Sequence, residues 1–240
     1  MKRATEHIYY MEGEEETDRP FLYYIHGSGK NMAVDAGNSP EHVHKFYREL
    51  KEEGLPLPDI TVLTHWHWDH TFGMTAVVGT TLASTKTNAK LRAVREWKWT
   101  KEEMLRREQT GEDIPFCNEC IQKEYQDPEK IQVVAAEHEI DTDLTIDLGD
   151  VCCELYPRDS THSRDALYIY IPKDRALVIG DADCEDVYEN HGDYDPDRLR
   201  EMDRFLKSFD ADIYLVGHDH PQSKKEEWEY LDSCIRTILS

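Results

Sequence analysis

The 240 residues predict an α/β protein built as a four-layer αββα sandwich, with two packed sheets inside and helices outside. Three observations predict it. Short β-type runs open the chain and lead into an amphipathic helix, and a later series of strands again ends in helices. A highly charged helical stretch separates the two series. Apolar residues are spread along the whole length, and a chain of this size buries a substantial core without a disulfide staple. One domain over 1–240 is therefore expected, with a helical insertion at about 97–139.

Taken in order, the opening strands are residues 8–11, 21–25 and 32–34, separated by polar or glycine-containing turns. Ser39 then caps a helix with Pro40 at its first position. Val43, Phe46, Tyr47 and Leu50 keep helical spacing, and Gly54 stops it. The run Ile60-Thr61-Val62-Leu63 reads as a buried strand. From 85 to 126 the text is helical and charged, broken by Gly111 and Pro115. Strands return at 131–135, 144–148, 151–156, 166–171 and 176–179. Asp195-Pro196 opens a helix with Leu199, Met202 and Leu206 inward, a strand follows at 213–216, and a last helix runs from about 223 to 239. No repeat or low-complexity segment interrupts the pattern.

The formal charge is −22, from 28 Lys and Arg against 50 Asp and Glu. Such a surface repels phosphate backbones, so nucleic acid is not expected as a partner. No apolar run is long enough to span a bilayer, and the first residues lack the apolar core of a signal peptide. A cytoplasmic protein without membrane contact is expected. Six cysteines suit a reducing compartment, and the single Cys117-Asn118-Glu119-Cys120 pair reads as structural or incidental.

His65-Trp66-His67-Trp68-Asp69-His70 sets four ligands in six residues after a buried strand. In extended chain His65 and His67 share a face and can grip one ion, while Asp69 and His70 lie on the following turn beside a second. Imidazole with carboxylate is the donor set of zinc and its neighbours.

At this point the chain resembles the metallo-β-lactamase superfamily, whose hallmark is HxHxDH after a strand. Further pieces follow in family order: Val34-Asp35-Ala36-Gly37 resembles the strand-end Asp-x-Gly, and Ser160-Thr161-His162-Ser163 the segment with the third histidine. Gly180-Asp181 resembles the bridging aspartate and Val216-Gly217-His218 the last histidine, although the usual Pro-Gly before the third histidine is absent. The resemblance spans residues 35 to 218 and implies the metallo-β-lactamase type of sandwich. It also implies a first site of His65, His67 and His162, a second of Asp69, His70 and His218, and Asp181 bridging both. In the β-lactam-hydrolysing branch with a similar HSxD segment, the bridging position is cysteine. Here it is Asp181, with Cys184 three residues on, so the chain is more similar to the general hydrolase branches.

The expected cofactors are two divalent metal ions, zinc ahead of manganese or iron. Paired cations about 3.5–4 Å apart hold a hydroxide between them, so a nucleophile exists near neutral pH. Asp69 is the candidate catalytic residue, orienting that water or accepting its proton. The expected reaction is hydrolysis of a small ester, thioester, lactone or amide. The alternatives are a phosphodiesterase or nuclease of the same fold, and a mononuclear-iron enzyme like a persulfide dioxygenase. The former needs a basic groove, and the latter would leave the second ligand set idle. A purely structural metal role conflicts with the open water position.

His7, His42, His44 and His138 read as surface residues, His26 as part of a hairpin turn, and His191 as an exposed loop residue. His220 is the rival of His218 for the last ligand position. Glu14-Glu15-Glu16 reads as a solvated hairpin loop. Trp66 and Trp68 are expected to pack around the cluster and dry it, with stacking on substrate as the alternative. The insertion is expected as a helical flap beside the metal site that controls substrate choice. Its alternatives are packing on the outer sheet or a contact between two copies in a homodimer.

Overall fold

The computed structural model describes residues 1–239. Its first sheet contains seven strands in sequence order: β1 (Lys2–Arg3), β2 (Ile8–Met11), β3 (Leu22–His26), β4 (Asn31–Val34), β5 (Ile60–Val62), β6 (Thr80–Ser84) and β7 (His138–Ile140). The first four form an antiparallel meander, and the others join in parallel. Parallel neighbours require crossovers. These are α1 (Pro40–Glu52), the short α2 (Trp68–Thr71), and the chain of α3 (Thr85–Val94), α4 (Lys101–Thr110) and α5 (Pro115–Glu124).

The second sheet contains β8 (Leu144–Asp147), β9 (Cys152–Pro157), β10 (Leu167–Ile171), β11 (Ala176–Gly180), β12 (Ile213–Val216) and β13 (Gln222–Ser223). Only β11 and β12 run parallel, and α6 (Pro196–Leu206) crosses between them. The last helix, α7 (Lys224–Leu239), returns over this sheet.

Strand alternation builds the four layers. Along β3, Tyr23 and Ile25 face the second sheet, while Leu22 and Tyr24 face Phe46 and Leu50 of α1. Along β10 and β11, Leu167, Ile169, Ala176 and Val178 enter the inter-sheet core. Tyr168, Leu177 and Ile179 instead meet Leu199, Met202 and Leu206 of α6 and Leu231 of α7. The expected αββα sandwich is therefore what forms.

Several local expectations are corrected. Residues 131–135 make no strand; Ile131 and Val133 are buried among Trp99, Met104 and Ile121, so their apolar character is satisfied by packing without a ladder. Two strands went unread in the sequence: β6, and its parallel partner β7, whose polar sequence gave no strand signal. His7 and His42 are buried, not superficial: His7 pairs with Asp174 at 2.6 Å, and His42, in the first turn of α1, points inward against Gly37 with neither ring nitrogen hydrogen-bonded. His44 and His138 are exposed. Glu15–Thr17 form a short 3-10 turn, and Glu14 pairs with Arg19 at 3.1 Å and Lys45 at 2.5 Å.

Residues 97–139 are held by buried contacts. The Arg107 guanidinium lies over the mutually tilted rings of Trp97 and Trp99, 4.5 and 4.7 Å from their centroids. Glu124 at the end of α5 pairs with Arg19 at 2.8 Å, fastening the segment to the loop after β2. All six cysteines are free thiols.

Candidate metal centre

The site lies where the carboxyl ends of β5, β11 and β12 meet. After β5 the chain stays extended through His65 and His67, then winds into α2, carrying Asp69 and His70. His162 comes from the loop between β9 and β10, Asp181 follows β11 and His218 follows β12. Cross-ties fix these ends against one another. Leu167 donates its backbone N–H to Thr64 at 2.7 Å, Phe21 donates to the Gly217 carbonyl at 2.7 Å, and the Tyr23 hydroxyl donates to the Val216 carbonyl at 2.6 Å. Gly217 is required here: a Cβ would come within 1.8 Å of Asp181 Oδ1.

Asp35 is the bracket beneath the cluster. It sits in the left-handed region with φ 64°, just past β4. Its carboxylate accepts from Thr64 N at 2.7 Å, from Thr64 Oγ1 at 2.9 Å and from His70 Nδ1 at 2.8 Å. These bonds assign the tautomers. His70 spends Nδ1–H on Asp35, His65 directs Nδ1–H to Thr64 Oγ1 at 3.0 Å, and His162 donates Nδ1–H to the Glu185 carbonyl at 2.7 Å. The lone pairs of all three then sit on Nε2. The His162 loop is held in turn by Asp165, which accepts from Ser163 and from Thr87 Oγ1 at 2.8 Å.

Two ligand groups result, each with its donor atoms within 4.8 Å of one another: His65, His67 and His162, and Asp69, His70, Asp181 and His218. His67 Nδ1 and His162 Nε2 face each other at 2.8 Å. In the second group His70 Nε2 is 2.9 Å from Asp69 Oδ2, and His218 Nε2 is 3.0 Å from that same oxygen. Asp181 Oδ2 joins the groups, lying 3.9, 3.7, 3.2 and 3.4 Å from Nε2 of His65, His162, His70 and His218.

Electrostatics fit a cation at both positions. Burial holds His65 and His67 well below 6.5, so both are neutral donors. Burial also acts to lower His70 and His218, but the Asp69 and Asp181 carboxylates overcome it and raise both well above 6.5. Burial would raise Asp181, yet His70 and His218 hold it far below the usual carboxylate range. Positive charge is thus demanded between these carboxylates. His65 Nε2 and Asp181 Oδ1 are buried without any hydrogen-bond partner, as ligand atoms awaiting an ion would be. The donor set and these orphaned atoms fit a pair of divalent metals.

A cavity of about 170 Å³ opens over the site. Its walls include Ile114, Phe116 and Cys117 from the 97–139 segment, facing His67, Asp69 and His218. Trp66 packs edge-on against His67 with centroids 4.8 Å apart, and Trp68 is buried beside the same cavity. Cys120 lies in the core with Ile121 and does not reach this cavity, so the CxxC pair forms no joint site. His220 is exposed and pairs with Glu12 at 3.4 Å; His191 lies on an exposed loop.

Two nearby residues carry no sequence signal. Asp18, before β3, faces His218 Nδ1 at 3.7 Å. Tyr188 lies tilted against the His67 ring with centroids 4.9 Å apart, and its hydroxyl donates to Asp113 Oδ1 at 3.2 Å. Both come from irregular loops far from the histidine motif, where no periodicity or spacing marks them.

The chain matches the sequence profile of the Metallo-beta-lactamase superfamily over residues 18–218. No curated protein matches it significantly. Among solved structures it is similar to the stereoselective inverting sec-alkylsulfatase Pisa1 from Pseudomonas sp., at 15% identity and TM-score 0.69. That match covers 99% of this chain but 41% of the sulfatase, so the chain spans about two fifths of that protein's length. A metallo-beta-lactamase family protein from Thermus thermophilus matches at 16% identity and TM-score 0.67, covering 97% of this chain and 79% of that one. A metallo-beta-lactamase from Pontibacter korlensis matches at 16% identity and TM-score 0.63, covering 98% and 97%. At such identities these structures share the fold alone.

Proposed function

The chain belongs to the metallo-beta-lactamase superfamily, and on that premise we propose that it is a dinuclear metallo-hydrolase acting on a small ester, thioester, lactone or amide. His65, His67 and His162 would hold the first ion, Asp69, His70 and His218 the second, and Asp181 would be shared. When bound, such ions supply Lewis acidity toward the substrate oxygen and lower the pKa of water toward about 7. The single observation that carries the reading is the Asp181 carboxylate oxygen, 3.2–3.9 Å from imidazole nitrogens of both groups.

The protein's own groups do the rest. Asp69, held as an anion by His70 and His218, is available to orient a water or accept its proton. Trp66 and Trp68 exclude bulk water and sharpen the local electrostatics. Phe116, Ile114 and Val187 offer an apolar wall to a small acyl group. An extended polyanion is disfavoured, because it lays many phosphates within the roughly 10 Å over which an acidic surface of net charge −22 repels them. The second ligand group argues against a single-iron dioxygenase.

The test is metal content together with a panel of ester, thioester, lactone, phosphodiester, persulfide and single-stranded RNA substrates. Two ions per chain and turnover of a carbonyl substrate, lost in His67→Ala, are expected. Efficient RNA cleavage lost in His67→Ala with negligible ester hydrolysis would overturn the reading, as would persulfide oxidation by a one-iron protein.

A further inference from the structure

Beside the metal centre lies a second cavity, of about 310 Å³. It shares Asp181 and His218 with the cavity over the ligands. Its other walls bring Asp183, Asp219, Glu226 and Glu227 together with no lysine or arginine among them. Asp183 follows β11, and Glu227 lies in the first turn of α7.

These carboxylates are not equivalent. Glu226 has a structural task, since its Oε2 accepts from Ser223 N at 2.8 Å and Ser223 Oγ at 2.6 Å at the start of α7. Glu227 has none. It is 2% exposed, its Oε1 is fully buried without a hydrogen-bond partner, and it lines the cavity. Asp183 is 9% exposed and faces the same space. A buried carboxyl oxygen ordinarily finds a donor, so the unpartnered Oε1 of Glu227, on a cavity that collects acids and no lysine or arginine, leaves a place for a cationic donor.

We propose that this cavity is a subsite for a cationic alkylamine group, an ammonium held by Glu227 and Asp183 while the rest of the molecule reaches the metal centre. A divalent ion is a poorer occupant. Among the described residues, only the two groups at the metal centre bring three His, Cys, Asp or Glu ligand atoms within 4.8 Å of one another. An ammonium needs fewer partners, because three N–H donors are shared between carboxylates and water. Val216 and Tyr230 on the same wall give its methylene chain an apolar contact. The inference rests on the hydrolytic reading only for its substrate: it narrows the carbonyl compound to one bearing a basic amine close to the scissile group.

The test uses the metal-loaded full chain. Binding of n-butylammonium is compared with 1-butanol by calorimetry, and hydrolysis of an aminoalkanoyl ester with that of its uncharged isostere. The wild type is expected to favour the amine by roughly tenfold or more in both measurements, the size of a charge-assisted hydrogen bond. Glu227→Gln should erase the preference, and Glu229→Gln, the same charge change outside the cavity, should keep it. Equal binding of amine and alcohol by the wild type overturns the proposal, as does a preference lost equally in Glu229→Gln. Saturation of the cavity by Ca²⁺ with no amine binding also overturns it, assigning the carboxylates to an inorganic ion. Amine binding lost in Glu227→Gln, with neither ester hydrolysed, supports the subsite and sinks the hydrolytic reading instead.

Discussion

Asp35 Oδ2 accepts a hydrogen bond from His70 Nδ1 at 2.8 Å, so a residue at the end of β4 sets the tautomer of a ligand on the crossover that follows β5. The same carboxylate holds Thr64, which in turn orients His65. One side chain therefore aims a nitrogen into each of the two ligand groups.

Asp35→Asn is expected to weaken metal binding by roughly 10–100-fold, the usual effect of removing such an outer partner. The amide can accept from Thr64 or from His70, but its NH₂ end faces one of them as a donor against a donor. Titration of the apoprotein with zinc measures it. Unchanged affinity in a folded variant would remove Asp35 from the support of the site.

Asp181→Asn is expected to lose most turnover, on the order of 10²-fold or more. A carboxylate shared by two cations would offset their repulsion, which a neutral amide cannot do, and each ~1.4 kcal/mol of lost transition-state stabilisation is tenfold in rate. His218→Ala should release one ion while His220→Ala keeps both, because His218 Nε2 lies 3.0 Å from Asp69 and His220 pairs with Glu12 outside the site. Elemental analysis of the three variants decides this. Loss of metal in the His220 variant alone would exchange their roles.

Phe116 is 51% exposed yet lines the cavity over the ligands. Phe116→Ala is expected to shift the ratio of kcat/KM between bulky and small acyl substrates by about 10-fold or more, the scale of a lost apolar contact. Metal content and thermal stability should barely move. An unchanged ratio would separate the 97–139 segment from substrate choice.

Stability should fall in mild acid, partly through His42. Burial, aided by Arg19 and Lys45, depresses this imidazole well below 6.5. The folded protein keeps it neutral while the unfolded chain protonates it below 6.5, so its contribution is complete above 6.5 and lost as pH falls. Neither ring nitrogen is hydrogen-bonded, so His42→Leu should be tolerated. The drop in Tm between about pH 7.5 and about pH 5 should shrink in this variant. An identical drop would show that His42 does not contribute to acid sensitivity.

By itself the sequence determined the layer order, the ends of most elements and the seven residues that the structure gathers into two ligand groups. Periodicity reports which face of a strand or helix is buried, the dense cluster from His65 to His70 follows an apolar run, and His162, Asp181 and His218 were legible through the resemblance to the metallo-β-lactamase motifs. The cap of α1 by Ser39 and its stop before Gly54, which sits at φ 73°, are likewise short-range chemistry. What the tertiary structure alone decided is which distant groups share a space. Residues 131–135 have strand composition but no partner, while β7 pairs despite a polar sequence, because pairing depends on the edge offered by β6. His42 looks like a surface residue in its charged neighbourhood, yet the helix turns it inward against Gly37. Asp18, Tyr188, Asp183 and Glu227 lie near the metal centre only because sheet ends and loops converge there. Burial of a charge is a property of that convergence, and no window of sequence contains it.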